Sequence, residues 1–109
     1  MASFPCPYLG GDVELTDERE RHIAERHPDL LPEHRARLAD TLADPDEVRR
    51  STRLANARLF VRQFDTIGGK STVVVLVTDP GPARRHWIVT AYLARKLAEG
   101  ETVEWQRSS

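Results

Sequence analysis

The hydrophobic pattern of this chain changes once, near Asp46, from a repeat of about 3.6 residues to a repeat of two. Before that point, helical spacing covers two segments, residues 16–27 and residues 32–44. After it, four segments are predicted as strands. Residues 47–53, 58–65 and 86–93 have strand-like patterns, and residues 71–78 form a run that is apolar on both faces, as in a central strand. Helices followed by strands predict an α+β fold, in which two N-terminal helices pack on a roughly four-stranded antiparallel sheet.

The expected sheet can be described further from its polar and glycine residues. The segment 47–53 is polar apart from Val48, which predicts a strand at the edge of the sheet. Gly68 and Gly69 predict a hairpin, and residues 79–82 combine Asp, Pro and Gly in the pattern of a turn.

Both ends of the chain lie outside these segments. Residues 1–12 are rich in Pro and Gly and predict an extended tail and a turn, while residues 13–15 could add a short strand. Residues 13–98 predict a single domain, because a chain of 109 residues can bury one modest core. Residues 99–109 are interpreted as a C-terminal extension, whose residues 102–105 form either a final strand or a docked tail.

The first helical segment carries few of the apolar side chains that usually anchor a helix. Thr16 is a favourable N-cap, and Pro28 ends the helix because it disfavours the α conformation in the residue before it. Ile23 is the one large apolar anchor between them, and polar side chains crowd around it, namely His22, Arg26 and His27. We interpret this cluster as a candidate site. The alternative is an exposed helix that carries His and Arg without a functional reason.

Charge is segregated along the chain although its net charge is only −1. Residues 1–48 hold five basic and twelve acidic side chains, a net charge of −7. Residues 49–98 hold ten basic and two acidic side chains, a net charge of +8. Fourteen of the sixteen basic residues are Arg, whose planar guanidinium suits bidentate phosphate contacts. The strand half of the chain is therefore expected to bind nucleic acid.

Strand alternation groups the side chains that could form this binding face. In the second predicted strand it places Arg58, Phe60 and Arg62 together, and Arg interleaved with aromatic rings is typical of RNA-binding surfaces. We interpret these three as substrate-binding residues. In the alternative, Phe60 belongs to the core and the Arg side chains extend outward from it. In the fourth strand, the alternation separates four residues from their neighbours, namely His86, Ile88, Thr90 and Tyr92.

Several kinds of protein are not expected from this sequence. Cys6 is the single cysteine, and His22 and His27 are five residues apart, which turns their rings to different sides of a helix. We therefore expect no metal site and no cofactor. Neither a secretory leader nor an apolar run long enough to span a membrane is visible, so a cytoplasmic protein without a membrane partner is expected.

Short motifs in this sequence resemble those of a known nuclease superfamily. They are the segments 15–17, 22–23, 25–30, 44–48, 59–60 and 89–92. Together they resemble a phage-type branch of the barnase–EndoU–colicin–RelE-like nucleases over residues 13–97. The resemblance implies a metal-independent ribonuclease, acting as a toxin, an effector or a phage-encoded enzyme.

The resemblance also implies which residues act. The residues that match its catalytic positions are His22, Arg26, His27, Thr90 and Tyr92. His27 would act as base or acid in the attack of the RNA 2′-OH, and His22 would orient the reaction or share proton transfer. Arg26 would hold the phosphate, as would Arg62, which is added on grounds of charge and face.

The expected partners follow from the same resemblance. They are RNA, such as tRNA or ribosome-bound mRNA, and an antitoxin or immunity protein. Two alternatives remain open at this point. One is a catalytically silent RNA-binding module of the same fold, and the other is an interaction domain whose basic sheet meets an acidic protein.

Overall fold

The computed structural model describes residues 2–52, 56–64, 70–82, 84–96 and 101–107. Two helices lie within these residues, α1 (Asp17–Arg26) and α2 (Arg35–Ala43). The strands in the same residues are β1 (Ala2–Cys6), β2 (Gly11–Leu15), β3 (Glu47–Arg50), β4 (Ala57–Gln63), β5 (Ser71–Thr78), β6 (His86–Ala94) and β7 (Thr102–Gln106). A short 3-10 turn, Pro7–Leu9, connects β1 to β2.

The described strands form one mixed sheet of seven strands in the order β1-β2-β6-β5-β4-β3-β7. Neighbouring strands are antiparallel except β2 and β6, which run parallel. The α+β class is therefore confirmed, but the expectation of about four antiparallel strands is wrong because both ends of the chain join the sheet. Since β7 pairs with the outer side of β3, β3 is also not the edge strand that its polar sequence predicted.

The N-terminal segment is a hairpin rather than the extended tail that its composition predicted. β1 pairs with β2, and Phe4 and Cys6 are buried in the core. Gly10 has φ of +72°, a left-handed conformation that favours glycine, and its N–H donates back to the carbonyls of Cys6 and Pro7. The Pro- and Gly-rich composition thus reflects a tight connection between two strands, and these strands precede the helices.

The first helix begins and ends where the sequence predicts. Thr16 is its N-cap, and its hydroxyl accepts a hydrogen bond of 3.2 Å from the backbone N–H of Arg19. His27 is the C-cap, directly before Pro28. The second helix begins at Arg35 and not at Pro32. The intervening connection buries Leu30 and Leu31, so it contributes to the core instead of extending the helix.

Both helices cover the same face of the sheet, which we call the helix-side face. The side chains from the helices and their connection in this core are Ile23, Leu30, Leu31, Leu38 and Leu42. They pack with sheet residues that include Val48, Phe60, Val74, Leu76, Ile88 and Ala91. A smaller apolar cluster lies on the other face, where Leu59, Val61 and Val73 pack with Tyr92.

A β-bulge in β6 changes the faces that strict alternation predicted. Val75 is opposite Thr90 but Leu76 is opposite Ile88, so Val89 is an extra residue in β6. As a result, Ile88 and Ala91 both belong to the helix-side core. The predicted grouping of Ile88 with Thr90 and Tyr92 is therefore wrong.

Two other expectations concern the connections and the membrane. The turn at residues 79–82 is confirmed, with the backbone N–H of Gly81 donating to Asp79 Oδ1 at 2.9 Å. The predicted hairpin at Gly68 and Gly69 lies outside the described residues. In the described part of the chain, neither helix is long and apolar enough to cross a bilayer.

Candidate functional site

A polar cavity of about 630 Å³ opens at one end of the sheet. Its walls come from both ends of the chain and from the central strands. The residues that give it chemical character are Tyr8, Arg50, Arg58, Arg84, His86 and Glu104. Of these six residues, only Arg58 was predicted from the sequence to be a site residue. Tyr8 lies in the segment predicted as an N-terminal tail, and Glu104 lies in the predicted C-terminal extension.

Strand register places two guanidinium groups side by side in this cavity. Arg50 near the end of β3 is the direct partner of Arg58 near the start of β4. Like charges that face each other across two strands destabilise a sheet, so this pairing needs a neighbouring anion. Glu104 provides it, accepting from Arg50 Nε at 2.6 Å and from Arg58 Nε at 3.0 Å. It lies at an irregularity where β7 has one extra residue between the partners of Val48 and Arg49.

The Glu104 carboxylate is the centre of this cluster. Burial favours its neutral form, but hydrogen bonds from Tyr8, Arg50 and Arg58 outweigh burial and lower the pKa of Glu104 to about 2. Burial and the bond to this carboxylate raise the pKa of Tyr8 to about 12. At neutral pH the cluster therefore contains a carboxylate, two guanidinium cations and a protonated phenol.

Aromatic packing fixes the position of Tyr8 above the sheet. Its ring meets the ring of Phe60 edge-on, with centroids 5.6 Å apart, and that of Trp105 at 5.8 Å. Because Phe60 is fully buried, Tyr8 rests on a rigid part of the core. The 3-10 turn between β1 and β2 carries Tyr8 to this place.

His86 is a buried histidine in the wall of the cavity. It is 8% exposed, and its Nδ1 lies 2.8 Å from the hydroxyl of Thr78, its partner across β5 and β6. Burial, followed by the positive charges of Arg58 and Arg84, lowers the pKa of His86 below its ordinary value. The imidazole is consequently neutral at pH 7 and can accept a proton.

The catalytic residues predicted from the sequence come together only in part. The rings of His27 and Tyr92 are in contact, with centroids 5.9 Å apart and planes tilted by 40°. Burial and the negative charge of Glu101 raise the pKa of Tyr92. His22 and Arg26 are exposed on α1, and His22 lines a separate shallow groove of that helix. The fifth predicted residue, Thr90, is half-buried in β6.

The predicted substrate-binding residues have three different environments. Arg58 lies in the cavity, whereas Phe60 is fully buried and its ring is not accessible to a base. Arg62 bonds the main-chain carbonyls of Asp40 and Asp44 at 3.4 and 3.3 Å, and its guanidinium stacks over the ring of Phe64. Arg62 therefore fastens β4 to the end of α2.

The cavity can bind an anion and move protons with its own side chains. In the described residues, Arg50 and Arg58 use only Nε in their hydrogen bonds, which leaves the terminal guanidinium nitrogens for a ligand. A neutral imidazole and a protonated phenol line the same space. No group of three His, Cys, Asp or Glu side chains that could hold a metal ion occurs in the described residues.

Four residues of the cavity, Tyr8, Arg50, His86 and Glu104, were not among the site residues predicted from the sequence. The sequence does contain one signal for Glu104, because residues 102–106 alternate polar with β-branched and aromatic side chains, as a strand does. No comparable signal marks Tyr8 within a Pro-rich segment.

No protein-family model, curated protein sequence or solved structure matches this chain. The chemistry of the cavity is accordingly inferred from its own residues.

Proposed function

We propose that this protein is a metal-independent endoribonuclease that cleaves RNA by attack of the 2′-OH, with the polar cavity as its active site. The observation that carries the proposal is the facing pair Arg50 and Arg58, held by Glu104 next to a buried neutral His86. The sequence motifs that resemble metal-independent nucleases support the same reaction class.

The guanidinium pair would bind the scissile phosphate. RNA cleavage concentrates negative charge on the phosphorus centre, and fixed cations in a partly closed site stabilise that charge. Arg58 has a side chain only 22% exposed, whereas that of Arg50 is 65% exposed. Arg58 would therefore supply the fixed contact and Arg50 the adaptable one. Glu104 is a positioning residue in this scheme, because a carboxylate with a pKa of about 2 is a weak base.

His86 and Tyr8 would carry the protons. When His86 Nδ1–H donates to the Thr78 hydroxyl, the lone pair on Nε2 can accept the proton of the 2′-OH. The 2′-oxygen then bonds to phosphorus as the bond from phosphorus to the 5′-oxygen breaks. Tyr8, protonated at neutral pH, would turn its hydroxyl from Glu104 towards that leaving oxygen and give it the proton. The products are a 2′,3′-cyclic phosphate and a free 5′-OH.

A second candidate site for this reaction is the one that the resemblance implies. The contact between His27 and Tyr92 favours it, since it brings together residues that the resemblance places in one site. In that scheme His27 transfers a proton, Tyr92 and Thr90 position the phosphate, and Arg26 binds it. His22, which lines a separate groove of α1, would orient the reaction or share proton transfer.

We also propose a substrate, a cellular compartment and an inhibitor for this reaction. The substrate would be cellular RNA, such as tRNA or ribosome-bound mRNA, in the cytoplasm. An antitoxin or immunity protein would be the natural inhibitor of such an enzyme.

The test is incubation of purified protein with mixed RNA in EDTA, followed by detection of 2′,3′-cyclic phosphate ends. His86→Gln cannot titrate, and it should reduce the rate about 10²–10⁴-fold. His27→Gln is the matched control and should retain nearly the full rate. The opposite ranking would move the active site to α1 and β6.

Binding measurements distinguish the alternatives if no cleavage is seen. RNA binding that weakens steeply with salt would identify a catalytically silent RNA-binding module, because counterion release gives a steep salt dependence. Absence of RNA binding would favour the interaction domain with an acidic protein partner.

A further inference from the structure

An exposed aromatic side chain, that of Trp105, contacts the ring of Tyr8 in the wall of the cavity. Among the described residues, the large hydrophobic side chains that are exposed are Tyr8 at 36%, Trp105 at 38% and Val103 at 45%. Of these three, Tyr8 lines the cavity together with Arg50 and Arg58. Trp is one of the residues most often used where a protein surface contacts a ligand.

The position of Trp105 relates it directly to the anion-binding residues. It follows Glu104 in β7, so the indole lies one residue from the carboxylate that holds both guanidinium groups. Its ring meets that of Tyr8 at an interplanar angle of 62°, so the two rings are not stacked in parallel, and Trp105 is 38% exposed. Tyr8 in turn rests on the buried ring of Phe60. The indole is thus supported through Tyr8 from the core, and it is next in sequence to the carboxylate that binds both cations.

We propose that Trp105 stacks on an unpaired base of single-stranded RNA while Arg50 and Arg58 hold the adjacent phosphate. Every base has a flat face that can stack on an indole, so this contact selects unpaired RNA without selecting a sequence. In a duplex the base faces are covered by neighbouring bases and are not accessible to the indole. The inference names the substrate class of the cavity and rests on the proposed function for the role of the phosphate.

Binding can be measured separately from cleavage with an oligonucleotide that has no 2′-OH. The probe is a fluorescent single-stranded 2′-deoxyoligonucleotide, compared with the same strand in a duplex and with an abasic strand of equal charge. Trp105→Ala should weaken binding of the single strand about 5- to 150-fold, the range observed for loss of one base stacking contact. It should leave binding of the abasic strand unchanged, because that strand retains only the phosphate contacts.

Two further variants serve as controls for Trp105→Ala. Val103→Ala changes a residue of the same strand with similar exposure, and it should bind all three probes like the unmodified protein. Trp105→Phe retains an aromatic face and should restore most of the affinity, and it serves as the test variant if Trp105→Ala fails to fold. Equal loss of affinity for the abasic strand would overturn the inference, as would single-strand binding that is unchanged in Trp105→Ala.

The same measurements separate this inference from the proposed function. If single-strand binding depends on Trp105 but the protein cleaves no RNA, the stacking surface stands and the nuclease proposal fails. If RNA is cleaved through His86 while Trp105→Ala binds and cleaves like the unmodified protein, the nuclease proposal stands and the stacking surface is refuted.

Discussion

Replacing Glu104 by Gln should destabilise the protein by about 1–2 kcal/mol at pH 7. The carboxylate neutralises Arg50 and Arg58, and its pKa is lowered from 4.5 to about 2. At 1.36 kcal/mol per pH unit, this lowering corresponds to about 3 kcal/mol if it were fully expressed. Arg50 is 65% exposed, however, and solvent screening of such a partner reduces the contribution to the smaller range. Gln retains the shape of the side chain but leaves the two cations facing each other.

The dependence on pH identifies the carboxylate as the source of this effect. Because folding lowers the pKa of Glu104, its contribution is fully present above pH 4.5 and is lost as the pH falls through about 2. The difference in unfolding free energy between the unmodified protein and Glu104→Gln should therefore be constant from pH 7 to pH 5 and smaller at pH 3. Urea unfolding at these three pH values measures it.

A surface ion pair provides the control for this experiment. Glu14 pairs with Arg85, whose side chain is 61% exposed, so Glu14→Gln should change the stability little. Equal stability of Glu104→Gln and the unmodified protein at pH 7 would refute the reasoning. A stability difference that persists undiminished at pH 3 would show that packing, rather than charge, is responsible.

Three other outcomes are expected. If His86 is the general base, kcat/KM should rise with pH through a midpoint below pH 6.5, because burial lowers the pKa of this imidazole. A midpoint at or above pH 6.5 would contradict the assignment of His86 as the base. Ile23→Ala should cost about 2–5 kcal/mol in urea unfolding, since Ile23 is fully buried, and a loss well under 1 kcal/mol would show that α1 is not anchored there. Arg62→Gln should lower stability by about 1 kcal/mol without slowing RNA cleavage, because Arg62 joins β4 to α2. Slower cleavage by a variant of unchanged stability would restore Arg62 as a phosphate ligand.

Elements defined by local signals could be predicted from the sequence. The N-cap hydroxyl of Thr16 and the backbone restriction imposed by Pro28 act within a few residues, and α1 lies between them as expected. The apolar run Ser71–Thr78 is β5 with the predicted bounds, because a central strand is apolar on both faces. Such features need no knowledge of the rest of the chain.

The candidate site could not be predicted because its residues are distant in the sequence. Tyr8 and Glu104, which share a hydrogen bond, are 96 residues apart. Neither residue has a local pattern that indicates the other, and both lie outside the segment 13–98 that was predicted as the domain. The bulge at Val89 had a similar effect, since one extra residue in β6 shifts side chains between faces without changing the hydrophobic content of the strand.

The strand order also has a consequence for the rate of folding. β2 pairs with β6 through Val13 and His86, and β3 pairs with β7 through Val48 and Trp105, so both of these pairings join distant parts of the chain. Closing such long loops costs entropy before any contact compensates for it, which slows folding towards the millisecond-to-second range. The antiparallel neighbours β4, β5 and β6 can form first, because short connections join them. Tyr8 and Glu104 arrive with the outer strands, so the cavity is completed in the last and slowest steps of folding.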